Sequence, residues 1–247
     1  MPMAVGEGAV ALHHVERGEG RPLLLLHGFA GGGANWSLVF PEAPAGYRLI
    51  APDLRGHGGS TNPSGEFTFR QCAADVFALL DRLGIERCQA IGASGGAQVL
   101  LHMATAQPAR LEAMVLVSTA PYFPPEARAM MALMTVESLS EDELAVLRLT
   151  HTQGDEQIRA LWRIGNGFKD SYDDVNFTPP LLATIRARTL IVHGDRDPLY
   201  PLHIPVGLGA AIPGSNLWII PNAGHTPIFV GELKDPFART ALDFLRG

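Results

Sequence analysis

Short apolar runs alternate along this chain with segments whose apolar residues recur every three or four positions. Seven runs read as strands: Ala11–Arg17, Pro22–Leu26, Tyr47–Pro52, Cys88–Ala93, Ala113–Ser118, Thr189–His193 and Leu217–Ile220. Most are unbroken stretches of Leu, Ile, Val and Ala, the pattern of strands covered on both faces. Between them the period lengthens. After the third run, Thr68 and Gln71 are spaced as a capping box. Phe69, Ala73, Val76, Leu80 and Leu83 then fall on one helical face, and Gly84 suits the stop. Phe237, Ala241 and Leu245 repeat that spacing near the C-terminus. This alternation predicts an α/β protein with a mostly parallel central sheet and helices on both faces.

The alternation breaks from about Ala120 to Arg186, where the pattern is helical throughout. Ser140 and Glu143 make a second capping box, and Ile158, Leu161, Trp162 and Gly165 keep helical spacing. The expected organisation is an α/β core of residues 1–119 and 187–247 with a small helical cap, 120–186, inserted before the penultimate strand. Such an insertion is expected to lie over the C-terminal edge of the sheet, where open α/β folds collect ligands.

Composition narrows the function classes. The 247 residues carry a formal charge of −6 spread along the chain, which argues against a nucleic-acid surface. Met1–Glu7 lacks a basic start followed by an apolar core, and no apolar stretch is long enough to span a bilayer. A soluble, cytoplasmic protein is therefore expected, with no membrane partner. Cys72 and Cys88 lie among apolar residues and read as small buried packing groups. His13-His14 lacks metal-ligand spacing, and Gly31-Gly32-Gly33 lacks the Lys-Ser/Thr of a phosphate loop. No metal and no cofactor are expected, and nothing in the sequence sets an oligomeric state.

Chemistry enters with Gly92-Ala93-Ser94-Gly95-Gly96, a G-x-S-x-G match between an apolar run and a helical segment. That strand–turn–helix context is the one a nucleophile elbow requires, because the turn pushes the serine hydroxyl into the open. A serine hydroxyl needs a base to take its proton. Asp195 and Asp197 follow the sixth run, and His225 follows the seventh. Parallel strands bring their C-terminal loops to one edge, so hydroxyl, carboxylate and imidazole can meet there.

With His27-Gly28-Phe29, Pro52–Ser60, the elbow, Gly194–Asp197 and Gly224-His225 in this order, the chain resembles the α/β-hydrolase superfamily, in its serine esterase-like branch with a short helical cap. The resemblance implies Ser94 as nucleophile, His225 as general base and Asp197, rather than Asp195, as the orienting acid. It also implies an oxyanion hole from the backbone N–H groups of Phe29 and Gly95. Asp53, His27 and His57 are expected to organise their loops. Serine at the elbow separates the chain from haloalkane dehalogenases and epoxide hydrolases, which carry aspartate there.

The expected activity is hydrolysis of small to medium carboxylic esters through an acyl-enzyme, with a small-molecule ester as the partner. Tyr122, Phe123, Met130, Met131, Met134, Trp162 and Phe168 are candidates for an apolar substrate pocket. The alternatives on the same triad are a lactonase, a perhydrolase or a C–C bond hydrolase acting on ring-cleavage products. Ring-cleavage enzymes usually carry tryptophan directly after the histidine, whereas Thr226 stands here. A ligand-binding receptor on a hydrolase fold is the alternative from another class.

Overall fold

A computed structural model describes residues 10–247. The Met1–Glu7 stretch, read above for a secretory signal, lies outside the described residues. Seven strands form one sheet: β1 (His14–Gly18), β2 (Arg21–Leu26), β3 (Tyr47–Pro52), β4 (Cys88–Ala93), β5 (Leu111–Val117), β6 (Arg188–Gly194) and β7 (Asn216–Ile220). Their spatial order is β1-β3-β2-β4-β5-β6-β7. β1 runs antiparallel to β3, and every other pairing is parallel. The order reverses between β2 and β4, so the loops that leave these neighbouring strands open a crevice at the carboxyl edge.

The unbroken apolar runs are explained by two cores, one on each face. Leu24 and Leu26 of β2 face one core, while Leu23 and Leu25 face the other. The first is closed by α1 (Phe69–Arg82), α2 (Gly95–Ala106) and α7 (His203–Ala211). The second is closed by α8 (Lys234–Arg246) through Phe237, Ala241 and Leu245, all fully buried. Cys72 and Cys88 are free, buried thiols, and burial raises the pKa of both.

Between β5 and β6 the chain forms α3 (Pro125–Ala132), α4 (Glu141–Arg148), α5 (Asp155–Gly167) and the single turn α6 (Pro179–Leu182), with one isolated bridge between Tyr122 and Asn176. The Ser140–Glu143 capping box closes α4 reciprocally. The Thr68–Gln71 box is only half made. Thr68 Oγ1 accepts the Gln71 N–H at 3.0 Å, but the Gln71 side chain does not return to the Thr68 backbone. Asp174 takes up that end of α1 instead, its carboxylate accepting from the N–H groups of Phe69 (2.6 Å) and Arg70 (3.2 Å). These are two of the free N–H groups at the positive end of the helix, where a carboxylate is a strong acceptor.

Candidate active site

Three loops meet at the carboxyl edge. Ser94 sits between β4 and α2 with φ 50° and ψ −116°, a conformation that non-glycine residues rarely hold. β4 and α2 approach too closely there for side chains: a Cβ on Gly92 would lie 2.6 Å from the Gly96 carbonyl oxygen and 2.7 Å from the Ala97 nitrogen. The strained turn leaves the Ser94 hydroxyl projecting toward the loop after β7. The hydroxyl donates to His225 Nε2 at 2.8 Å, and His225 Nδ1–H donates to Asp197 Oδ2 at 2.7 Å.

Asp197, not Asp195, completes the chain. The Asp197 carboxylate is fully buried, and its second oxygen accepts the N–H groups of Leu199 (2.9 Å) and Tyr200 (3.2 Å). Burial pushes its pKa up, but the hydrogen bond and charge of His225 and the Leu199 N–H outweigh that and hold it below the usual carboxylate value. Asp195 instead accepts the Ala223 N–H at 3.2 Å and ties two loops together. The Tyr200 ring lies edge-on to the His225 imidazole at 5.6 Å.

The loop after β2 supplies the second half of the site. Neither the Phe29 nor the Gly95 N–H has a hydrogen-bond acceptor among the described residues. The two are close: a Cβ on Gly95 would stand 3.3 Å from the Phe29 nitrogen. Two such N–H groups beside a serine hydroxyl can offer fixed donors to an anionic oxygen.

The histidines nearby organise loops. His27 Nε2 accepts the Leu54 N–H at 2.9 Å, and His57 Nε2 accepts the Ala30 N–H at 3.1 Å. Burial lowers the pKa of both. Asp53 accepts from the Gly33 and Gly59 N–H groups and from His13 Nδ1. His13 is thus a hydrogen-bond partner of the Asp53 turn. Among the described residues, no group of three or more His, Cys, Asp or Glu is placed to hold a metal ion.

A cavity of about 410 Å³ opens above Ser94. Phe123, Met131, Met134 and Phe168 line it, as does Phe29. Tyr122, Met130 and Trp162 do not. Met130 is adjacent to Met131 on α3 and so points to another side of the helix, 42% exposed. Trp162 follows Leu161 on α5 and turns toward Val146 and Leu147 of α4. Tyr122 is 44% exposed beside its bridge to Asn176.

The lining also includes Leu38, Phe69, Gln98, Leu199, Tyr200, Thr226 and Phe229, which sequence reasoning missed. Gln98 had a readable signal, standing one helical turn after Ser94. Leu199 and Tyr200 directly follow the Asp197-Pro198 turn. Phe69 was hidden because it also belongs to the buried face of α1. Among the described lining residues none is Asp, Glu, Lys or Arg. The site is thus an apolar chamber with a polar, proton-connected floor.

Comparison with known proteins agrees with this architecture. Residues 21–161 match the family model described as alpha/beta hydrolase fold. The chain is 31% identical to a 2-hydroxymuconate semialdehyde hydrolase from Pseudomonas sp. (strain CF600), over 93% of this chain and 88% of that one. Among solved structures it resembles a meta-cleavage product hydrolase from Pseudomonas fluorescens IP01, at 25% identity and a TM-score of 0.74, covering 96% and 94% of the two chains. It also resembles an N-acyl homoserine lactone degrading enzyme, at 27% identity and a TM-score of 0.74, covering 100% and 99%. These likenesses weigh toward the alternative activities named above rather than toward plain ester hydrolysis. The matched model, the sheet order and the relatives lead to one conclusion: the chain belongs to the α/β-hydrolase family.

Proposed function

We propose that this hydrolase uses Ser94 as nucleophile, His225 as general base and Asp197 as the orienting carboxylate, and that its substrate is a neutral ester, open or closed into a lactone. The observation that carries the reading is the hydrogen-bonded series from Ser94 through His225 to Asp197, set at the floor of a cavity without formal charges.

In this reading His225 takes the Ser94 proton as Oγ attacks the carbonyl carbon. The tetrahedral oxyanion accepts from the Phe29 and Gly95 N–H groups. Collapse expels the alcohol, which takes the proton from His225. Water, deprotonated by the same imidazole, then attacks the acyl-enzyme and restores Ser94. In a lactone the alcohol stays tethered, and the product is a single hydroxy acid. Residues 120–186 act as a lid whose Phe123, Met131, Met134 and Phe168 grip an apolar acyl or ring group.

A second reading, C–C bond hydrolysis of a ring-cleavage product, is favoured by the hydrolase relatives. Several relatives are named for dienoates, which are carboxylates. The cavity offers no Lys or Arg to a carboxylate, and Thr226 follows His225. These two features weigh toward the neutral ester or lactone.

The deciding experiment compares kcat/KM on a p-nitrophenyl ester, a medium-chain lactone and a 2-hydroxy-6-oxo-dienoate. The expected result is that the ester or the lactone exceeds the dienoate by at least about 10²-fold, about 3 kcal/mol of transition-state preference. A dienoate turned over faster than both selects the second reading.

A further inference from the structure

Among the buried histidines that play no part in the mechanism above is His151, between α4 and α5, which is 1% exposed. Its ring lies 5.9 Å from that of His57, which lies 5.1 Å from that of His27. The imidazole bridges two loops of the core. Nδ1 accepts the Gly58 N–H at 3.0 Å, and Nε2–H donates to the Ala30 carbonyl at 3.1 Å. These partners fix a neutral ring with its proton on Nε2, and burial supports that state by lowering the pKa.

Ala30 is the residue after the proposed oxyanion donor Phe29, and its φ of 61° is left-handed. A non-glycine residue keeps such a conformation only when its surroundings over-determine it. Here both polar groups of Ala30 are held by histidines: its N–H by His57 and its carbonyl by His151. The Phe29 N–H shares a peptide unit with the Gly28 carbonyl, which accepts from His27 Nδ1 at 2.7 Å and from the Gly31 N–H at 3.0 Å. That Gly31 N–H belongs to the same peptide as the Ala30 carbonyl held by His151, so the anchoring of Ala30 is passed directly to the Phe29 N–H.

The remaining contacts show that His151 belongs to a wider clamp. Gln157 Nε2 donates to the carbonyls of Gly56 (3.0 Å) and Gly58 (2.9 Å), and Gln153 Nε2 to that of Ser60 (2.8 Å). These glutamines hold the turn after β3. His151 crosses from that turn to the oxyanion loop.

We infer that His151 is a positioning residue: it holds the Phe29–Ala30 backbone so that the Phe29 N–H faces Ser94, and it links this donor to the seating of the helical insertion. The inference rests on the serine hydrolase reading. Its consequence is that the oxyanion pocket is complete only when the segment His151–Gln157 is docked on the core.

The test compares the parent with His151→Ala, His151→Gln and His151→Asn on p-nitrophenyl acetate. Glutamine can place its NH₂ where Nε2 stood and reach Ala30. Asparagine reaches only the Nδ1 position and Gly58. A displaced oxyanion donor should lower kcat by about 10- to 100-fold in the Ala and Asn variants, with KM changed less than about threefold. The Gln variant should recover to within about fivefold of the parent. Affinity for an alkyl boronic acid, which forms the tetrahedral adduct, should fall in parallel with kcat.

Equal kcat in the Gln and Asn variants, or a kcat in folded His151→Ala within twofold of the parent, overturns the inference. If His151→Ala does not fold, the Gln–Asn contrast carries the result. A parent that neither turns over esters nor reacts with a fluorophosphonate sinks the hydrolase reading instead. Amide hydrogen exchange at residues 28–32 then decides the positioning role: faster exchange in His151→Asn supports it, and unchanged exchange removes it.

Discussion

Asparagine at position 197 replaces a carboxylate by an amide of nearly the same shape, so its effect isolates the charge and the hydrogen-bond pattern. The surrounding donors dictate how the amide must sit. The N–H groups of Leu199 and Tyr200 point at Oδ1 from 2.9 and 3.2 Å and are fixed by the turn. The amide oxygen must take that place, which turns the NH₂ toward His225 Nδ1. Two donors cannot face each other, so the imidazole moves its proton to Nε2, and Nδ1 becomes the acceptor. Nε2–H then points at the Ser94 hydroxyl and cannot take its proton. The wrong tautomer, with the loss of the charge that stabilises the imidazolium, costs a serine protease triad about 10⁴ in kcat, or about 5.5 kcal/mol of barrier. The same loss is expected for Asp197→Asn on a p-nitrophenyl ester, with a thermal midpoint close to the parent because no atom of bulk is lost. Asp195→Asn is the control: its amide oxygen can still accept the Ala223 N–H, and kcat should stay within about threefold. A folded Asp197→Asn within tenfold of the parent, or an equal loss in Asp195→Asn, would refute this reasoning.

Gly92→Ala forces a methyl against backbone at 2.6 and 2.7 Å, so a loss of about 3 kcal/mol or more is expected in denaturant titration, and an unchanged midpoint would contradict the close strand–helix approach. Burial, partly offset by the hydrogen bond to the Gly28 carbonyl and by Asp53, lowers the His27 pKa to about 4. The unfolded chain takes up this proton near the usual histidine value of about 6.5, so the share of stability carried by His27 is full above that pH and about 3 kcal/mol of it is lost as pH drops toward about 4. His27→Gln should flatten that slope in urea titrations, and a parental slope in the variant would show that His27 does not carry it. Met131→Ala should change KM for longer acyl chains by about 5-fold or more while Met130→Ala leaves the chain-length profile unchanged, since only Met131 lines the cavity; equal effects would contradict the lining described here.

The core was readable because its signals are local. Tyr47–Pro52 and Cys88–Ala93 match the observed strands to the residue, since a strand covered on both faces is an apolar run with sharp ends. The meeting of Ser94, Asp197 and His225 was readable for a topological reason: each follows a parallel strand, and parallel strands share one edge. Which residues of the insertion face the cavity was not readable. That depends on the rotation of α3 and α5 against the core, which separates Met131 from Met130 and Leu161 from Trp162 without changing the periodicity. Phe69 and Tyr200 were missed because a buried aromatic residue beside a cavity has the same sequence signal as one inside a core. His151 gave no signal at all, because its partners Gly58 and Ala30 lie 93 and 121 residues away.

The central claim is that one serine hydroxyl, activated through His225, bears the covalent intermediate. Incubation with a fluorophosphonate followed by peptide mass mapping tests it directly. The account predicts a single adduct, on the peptide containing Ser94, formed in step with the loss of ester turnover and absent in a folded Ser94→Ala variant. Labelling at another residue, or turnover in Ser94→Ala comparable to the parent, would contradict it.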